Sequence, residues 1–262
     1  MHFWSVPAML ASIMNGQFQD AHRKIERAKK HTADIDVMVR ALKESGTPDI
    51  RRDVPSGGYM IYYEIADIER ITNELALTTG DAIHNLKTAL DYAWLGALER
   101  VTKSGNDHRK FPIADSLEKL NAMVKGAKVE SLSPELFKCL MEEIRPHADG
   151  NYELWAIHRL DIADKHKLVL PVMNNVGVEG LSVRFPTGEV RTGGTWGFPY
   201  ARGFHIDFDP SCVIKNPGRL LISVLFAKHL PYSHQQIAPT LEIFSRVVTQ
   251  VVGLLESIPY RH

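Results

Sequence analysis

DIERITNELALTTGDAIHNLKTALDYAWLGALERV, residues 67–101, is the stretch on which the fold turns. Ile68, Ile71, Leu75, Ala82, Leu86, Ala89, Ala93 and Ala97 recur on one stripe at the period of an α-helix, and no proline interrupts them. With about 100° of turn per residue, Asp81, His84, Thr88 and Asp91 fall within about 80° of one another, opposite that stripe. A solvated helix face usually carries Lys, Glu and Arg. This one carries Asp, His and Thr, framed by Leu77 and Leu95. Asp is a mediocre helix former, so local propensity does not explain Asp81 and Asp91 in mid-helix. Two readings stand at this point: a solvated face, or a second buried face where polar groups meet another helix.

Working outward, residues 15–44 read as a helix with a loose stripe of Ile25, Ala28, Ile35, Met38, Val39 and Leu42. From His22 to Arg52 there are nine Lys or Arg against five Asp or Glu, whereas Glu64 to Arg100 holds seven acids against three bases. The basic and the acidic helix are therefore either partners in antiparallel contact or two separately solvated faces. SGTPD at 45–49 and PSGG at 55–58 break the pattern, and the β-branched and aromatic run Tyr59–Ile65 reads as a short strand.

Beyond 101 comes a loop at 103–112, a helix from Ser116 to Lys125, and another that starts at Ser133-Pro134 and stops at Arg145-Pro146. Residues 152–168 form a further helix. Expected strands then lie at 168–173, 181–185, 203–209 and 219–226, with a Gly- and Pro-rich loop at 186–200. In 235–258, Leu241, Phe244, Val248, Val251, Leu255 and Ile258 keep the spacing of an a/d seam, which serves either core packing or a contact with a second copy.

The second polar cluster is LWAIHRLDIADKHKLVLP, residues 154–171. Trp155, Arg159, Ile162 and His166 lie within about 60° of each other on a helix, and His158, Asp161 and Lys165 form the adjacent strip. Asp161 and Lys165 stand in the favourable acid-first order for an ion pair one turn apart. A charged helix surface is the plain reading. The neighbouring Leu154, Trp155, Ile157 and Ile162 make a partly buried network the sharper one.

Asp beside His permits general acid–base chemistry, because the carboxylate orients the ring and tunes its pKa. Asp81 and His84, three apart, also match the carboxylate/imidazole ligand pairs of helix bundles that hold two metal ions. The sequence has no HExxH, Cys-x-x-Cys, EF-hand, GxSxG, GxGxxG or phosphate-loop pattern. His205, Asp207 and Asp209 alternate in an expected strand, and Trp196, Phe198 and Tyr200 alternate in the expected loop before it. A polar edge and loop packing are the plain readings of these two sets.

GDAIHNLKTALDYAW, RKFPI and LWAIHRLDIADKHKLVLP together resemble a widespread bacterial family with no assigned activity, over about residues 58–172. Its members carry stretches similar to GDxxHNLRxALDH and LHxLDxxDKHR. The chain departs at Lys87, where the family has Arg, and at Tyr92, where it often has His. A second resemblance is to HEPN ribonucleases, small helical and usually dimeric domains with an Arg, four to six residues and a His on one helix face. Arg159 and His166 have six residues between them. That resemblance implies a guanidinium holding a scissile phosphate and an imidazole acting as acid or base without a metal.

Composition bounds the rest. The 262 residues hold 31 Lys or Arg and 31 Asp or Glu, with an apolar fraction of 44%. A wholly disordered chain and a globally polybasic nucleic-acid binder are excluded. Cys139 and Cys212 read as free thiols. The one uncharged stretch of about 18 residues, at the start of the sequence, is only mildly apolar, so no membrane partner and a cytoplasmic location are expected.

The expected fold class is α+β. Residues 1–172 form a mainly helical part with one short strand and both polar clusters. Residues 173–262 form a strand-rich segment with a closing helix, packed with the first part as one domain. The two clusters are expected to meet where helices 67–101 and 152–168 pack. The candidate catalytic residues are His84, Asp91, Arg159, Asp161, Asp164, Lys165 and His166, with Asn85, Lys87 and His158 binding substrate. The leading reading is a cofactor-free hydrolase, most concretely of the HEPN-like, RNA-cleaving kind. The alternatives are a metal-dependent enzyme holding a divalent ion on Asp81, His84 and Asp161, and a non-catalytic binding or interaction protein. Expected partners are RNA or a small molecule, and a second copy through the C-terminal helix.

Overall fold

The structure, a computed structural model, describes residues 16–45, 47–52, 59–64, 67–102, 110–166, 171–193, 198–200, 203–206 and 211–259. The fold is α+β and mainly helical, ending in a helix. Helix α1 (Gly16–Ser45) leads through strands β1 (Thr47–Arg52) and β2 (Tyr59–Glu64) into helix α2 (Ile68–Val101). The six stripe residues from Leu75 to Ala97 are all buried, and burial spreads round most of α2 to include Ala76, Ile83, Leu90, Trp94 and Leu98. Ile68, by contrast, is 37% exposed and Ile71 only half-buried. A periodic stripe marks the side that can be buried; burial then needs a neighbour.

That neighbour is chiefly α1, which runs antiparallel to α2, with Phe18 at Gly96 and Lys24 at Asn85. The basic and the acidic helix are thus in contact. At their closest approach a Cβ added to Gly96 would lie 2.8 Å from the Phe18 ring and 3.2 Å from Gln17 Cβ. Phe18 is buried, and its ring is covered by the Arg100 guanidinium at 4.5 Å. Arg100 Nη1 in turn donates to the carbonyls of Glu256 and Ile258, at and just past the end of the closing helix α7 (Ile237–Glu256). One cation from α2 therefore packs on α1 and satisfies terminal carbonyls of α7, at the helix end where positive charge is favoured.

The seam residues of α7, Leu241, Phe244, Val248, Val251, Leu255 and Ile258, are all buried in the chain's own core. Glu242, Arg246, Thr249 and Gln250 face outward. By length and composition α7 is apolar enough to cross a membrane, and half of its apolar window is buried inside the protein.

Between α2 and α7 lie four short helical segments and helix α6. Helix α3 (Leu117–Gly126) is capped by Ser116, whose Oγ accepts from Lys119 N at 3.3 Å. Helix α4 (Val129–Leu132) follows. Helix α5 (Pro134–Lys138) has Ser133 Oγ accepting from Leu136 N at 3.1 Å, and it continues as a π-helical turn over Cys139–Ile144. Helix α6 (Tyr152–His166) packs on α2 and α7.

The strands correct several expectations. The strand expected at 168–173 is β3 (Pro171–Glu179), later and longer. Strands β4 (Leu181–Arg184) and β9 (Arg219–Phe226) fall where expected, and β7 (Gly203–Ile206) covers the described part of 203–209. Three strands were not anticipated after β3: β5 (Val190–Gly193) and β6 (Phe198–Tyr200), inside the expected loop, and β8 (Val213–Asn216). The supposed breaker at 45–49 also opens a strand, β1. Its sequence holds a single Ile, Ile50, and a proline, but it is the edge of the sheet β1-β2-β7-β6, where β2 supplies the pairing and Pro48 is tolerated. The other sheets are β3-β9 and β5-β4-β8. A single core cluster draws on both halves of the chain, from Phe18 to Ile258.

Gly96→Ala sets a helix-propensity gain of about 1 kcal/mol against an overpacking cost of about 1–3 kcal/mol. Because Phe18 is held between Arg100 and the core, the clash should win and the melting temperature should fall. Gly253→Ala, in α7 with nothing within 4 Å of the new methyl, should raise it slightly. Thermal denaturation followed by circular dichroism compares the two.

Candidate functional site

Helix α2 presents a narrow strip to solvent: Leu77, Asp81, His84 and Glu99 are exposed, and Thr88, Asp91, Tyr92 and Leu95 are half-buried. The polar face found by periodicity is this strip. One flank is lined by α6, the other by α1.

On the α6 flank the two polar clusters meet. Asp161 is only 4% exposed, and each of its carboxylate oxygens has one partner. His84 Nδ1 lies 2.8 Å from Oδ1, and Lys165 Nζ donates to Oδ2 at 2.6 Å. Burial alone would push the Asp161 carboxyl up. The hydrogen bonds from Lys165 and His84 outweigh it and hold the group below its ordinary value of 3.8. An ionised carboxylate only accepts, so Nδ1 of His84 carries the proton and Nε2 of the neutral ring carries the lone pair. The His84 side chain is 55% exposed, and Nε2 lies 3.5 Å from Thr88 Oγ1, one turn further along α2. The result is a buried acid that orients a half-open imidazole.

One turn on, Lys87 is 6% exposed and its Nζ donates to Asp91 Oδ1 at 2.5 Å. The same oxygen accepts from Phe111 N at 2.8 Å, while the Phe111 ring meets Trp94 edge-on at 5.9 Å. Phe111 is thereby tied down on α2, so the Lys87–Asp91 pair anchors the chain around it beside the site. Facing this pair from α6, His158 has a buried Nδ1 with no hydrogen-bond partner among the described residues. Its burial first, and the Lys87 charge second, lower its pKa from 6.5.

The remaining candidates lie elsewhere. Asp164 packs against α2 a turn earlier, and its carboxylate would lie 2.5 Å from a Cβ on Gly80. Asn85 points to α1, accepting from Lys24 Nζ at 3.1 Å while its Nδ2 donates to Asp81 O at 2.7 Å. Arg159 is exposed on the outer face of α6, across the helix from Asp161, where its charge acts on Asp115. Asp115 also accepts from Trp155 Nε1 at 3.0 Å. Arg159 is therefore not part of the His84 junction, because two residues of helical advance turn it away from Asp161 by about 160°. His166 closes α6, and its side chain lies outside the described part of the structure. So do Asp207, Asp209 and Trp196, whereas His205 is placed by backbone alone, opposite Met60.

Of the three residues in the metal reading, His84 and Asp161 meet and Asp81 does not join them. Among the described residues no group of three or more His, Cys, Asp or Glu stands together as a metal site. Sequence reasoning missed the partners Lys24, Gly80 and Phe111. Only the glycine has a signal, as the small residue between Thr79 and Asp81 that permits close approach. Compared with protein-family models, curated proteins and solved structures, the chain matches none.

His158 fixes the sign of a pH effect. The unfolded chain takes up a proton near pH 6.5, and the folded chain only at lower pH. The stability that His158 contributes is therefore present above 6.5 and is lost as pH falls. His31 on α1 is shifted the same way by its own burial and by Arg27. Urea titrations at about pH 7 and about pH 5 should show wild type losing more stability than His158→Gln on acidification. Equal losses contradict the assignment.

Proposed function

We propose that the chain is a hydrolase whose general acid–base group is His84, held by Asp161 at the junction of α2 and α6. The contact between the buried carboxylate and Nδ1 carries this reading. It fixes the ring's tautomer and orientation, and it stabilises the imidazolium that forms when Nε2 takes a proton. Lys165 shares Asp161 and keeps the carboxylate ionised. Lys87, Asp91 and the Phe111 backbone hold the wall of the site in place.

The exposure of Arg159 favours a second reading, in which RNA phosphodiester cleavage of the HEPN kind uses the outer face of α6. Arg159 and His166 lie about two turns apart along α6. A homodimer formed through α7 would have to use Glu242, Arg246, Thr249 and Gln250, since the seam residues are already buried.

p-Nitrophenyl acetate and a single-stranded RNA separate the two. With the ester, His84→Ala should lower kcat/KM by about 10²–10⁴-fold, and Asp161→Asn should do so to a similar degree, while a chelator leaves the rate unchanged. RNA cleavage lost in Arg159→Ala but kept in His84→Ala establishes the second reading instead. Loss of turnover on chelation points to the metal-dependent alternative.

A further inference from the structure

Threonines in the long helices of this protein share one habit. Thr32, Thr72, Thr78, Thr79, Thr240 and Thr249 each donate their hydroxyl to the carbonyl four residues back, at 2.7–3.1 Å. This is the ordinary way for a helical threonine to satisfy its O–H. Thr88 breaks the habit. Its Oγ1 faces His84 Nε2 at 3.5 Å, and its described side-chain contact is with that ring. Nε2 is the lone-pair nitrogen, because Asp161 holds the proton on Nδ1. A half-buried hydroxyl, a half-open imidazole and a buried carboxylate thus stand in sequence.

We propose that Thr88 is the nucleophile of this site, activated by His84 and Asp161, and that its substrates are carboxylic esters or comparably activated acyl groups. The proposal rests on the acid–base role of His84 and adds a covalent step to it. Thr88 Oγ1 attacks the acyl carbon while its proton passes to His84 Nε2. The carbon–oxygen bond to the leaving group breaks, and the leaving alcohol receives that proton. Water then attacks the acyl-Thr88 ester, His84 again accepts the proton and returns it to Oγ1, and the carboxylic acid departs. Hydroxyl, base and orienting acid are the required parts of such a nucleophile, and the distance from Thr88 to His84 is of the looser kind found without substrate. Thr88 is half-buried, and its contact with the His84 ring is on the exposed side of the junction.

The experiment is acid-quenched peptide mass spectrometry of the full chain after mixing with p-nitrophenyl acetate, together with the rate of nitrophenolate release. We expect an acetyl group on the peptide containing Thr88, absent in Thr88→Val and in His84→Ala and retained in Thr88→Ser. Release should fall by at least about a hundredfold in Thr88→Val, with the unfolding midpoint of the variant close to wild type. If release falls in His84→Ala but not in Thr88→Val, or if the acetyl sits on His84, the nucleophile is overturned and the acid–base reading survives. If release is indifferent to both residues, both readings fall.

Discussion

From Leu75 onward helix α2 is covered by three other helices, and only one strip of its circumference reaches solvent. Everything polar on the helix must sit on that strip or be satisfied at its flanks, because a buried charge without a partner costs several kcal/mol. Lys87 and Asp161 are both nearly inaccessible, and each is met by an opposite charge from within one helical turn. Asn85, on the other flank, is satisfied by Lys24 from α1. The site is therefore a consequence of packing. Where α6 closes on α2, the sequence has had to supply matched acids, bases and imidazoles.

Within that junction accessibility is graded. The side chain of Asp161 is 5% exposed, whereas those of His84 and Lys165 are 55% and 56% exposed. A carboxylate at the closed end keeps its charge only through its partners, so it fixes their positions in turn. A ring at the open end keeps one edge for another molecule. Gly80 contributes indirectly, since the close approach of Asp164 there lets α6 lie near enough for Asp161 to reach His84.

Periodicity located much of this. The stripe from Leu75 to Ala97, the α7 seam and the meeting of the two polar clusters all follow from apolar and polar residues recurring at helical spacing. Spacing did not reveal which residues on a polar face would become partners. Arg159 and Asp161 are two residues apart, yet one is exposed beside Asp115 and the other is buried against α2. Nor did it reveal that Asn85 and Lys87, at the margins of the strip, would be covered by different helices. Both outcomes depend on how far each neighbouring helix is rotated about its axis, which no single helix encodes. The strands were least legible. β1 and β5 carry few apolar residues, and they exist because stronger neighbours, β2 and β4, pair with them.

Arg100 has a bearing on the order of events during synthesis. Its guanidinium rests on Phe18 from one helix and reaches the terminal carbonyls of a helix whose first residue, Ile237, emerges long after Val101. Until that late segment has left the ribosome, the apolar surface of α1 and α2 that α7 covers in the folded chain lacks that cover. The intervening strands must be made in the presence of that surface. Such a chain carries an interval of exposure that grows with slower translation of 102–236, and over that interval a chaperone, rather than the protein's own last helix, is the natural cover for the core.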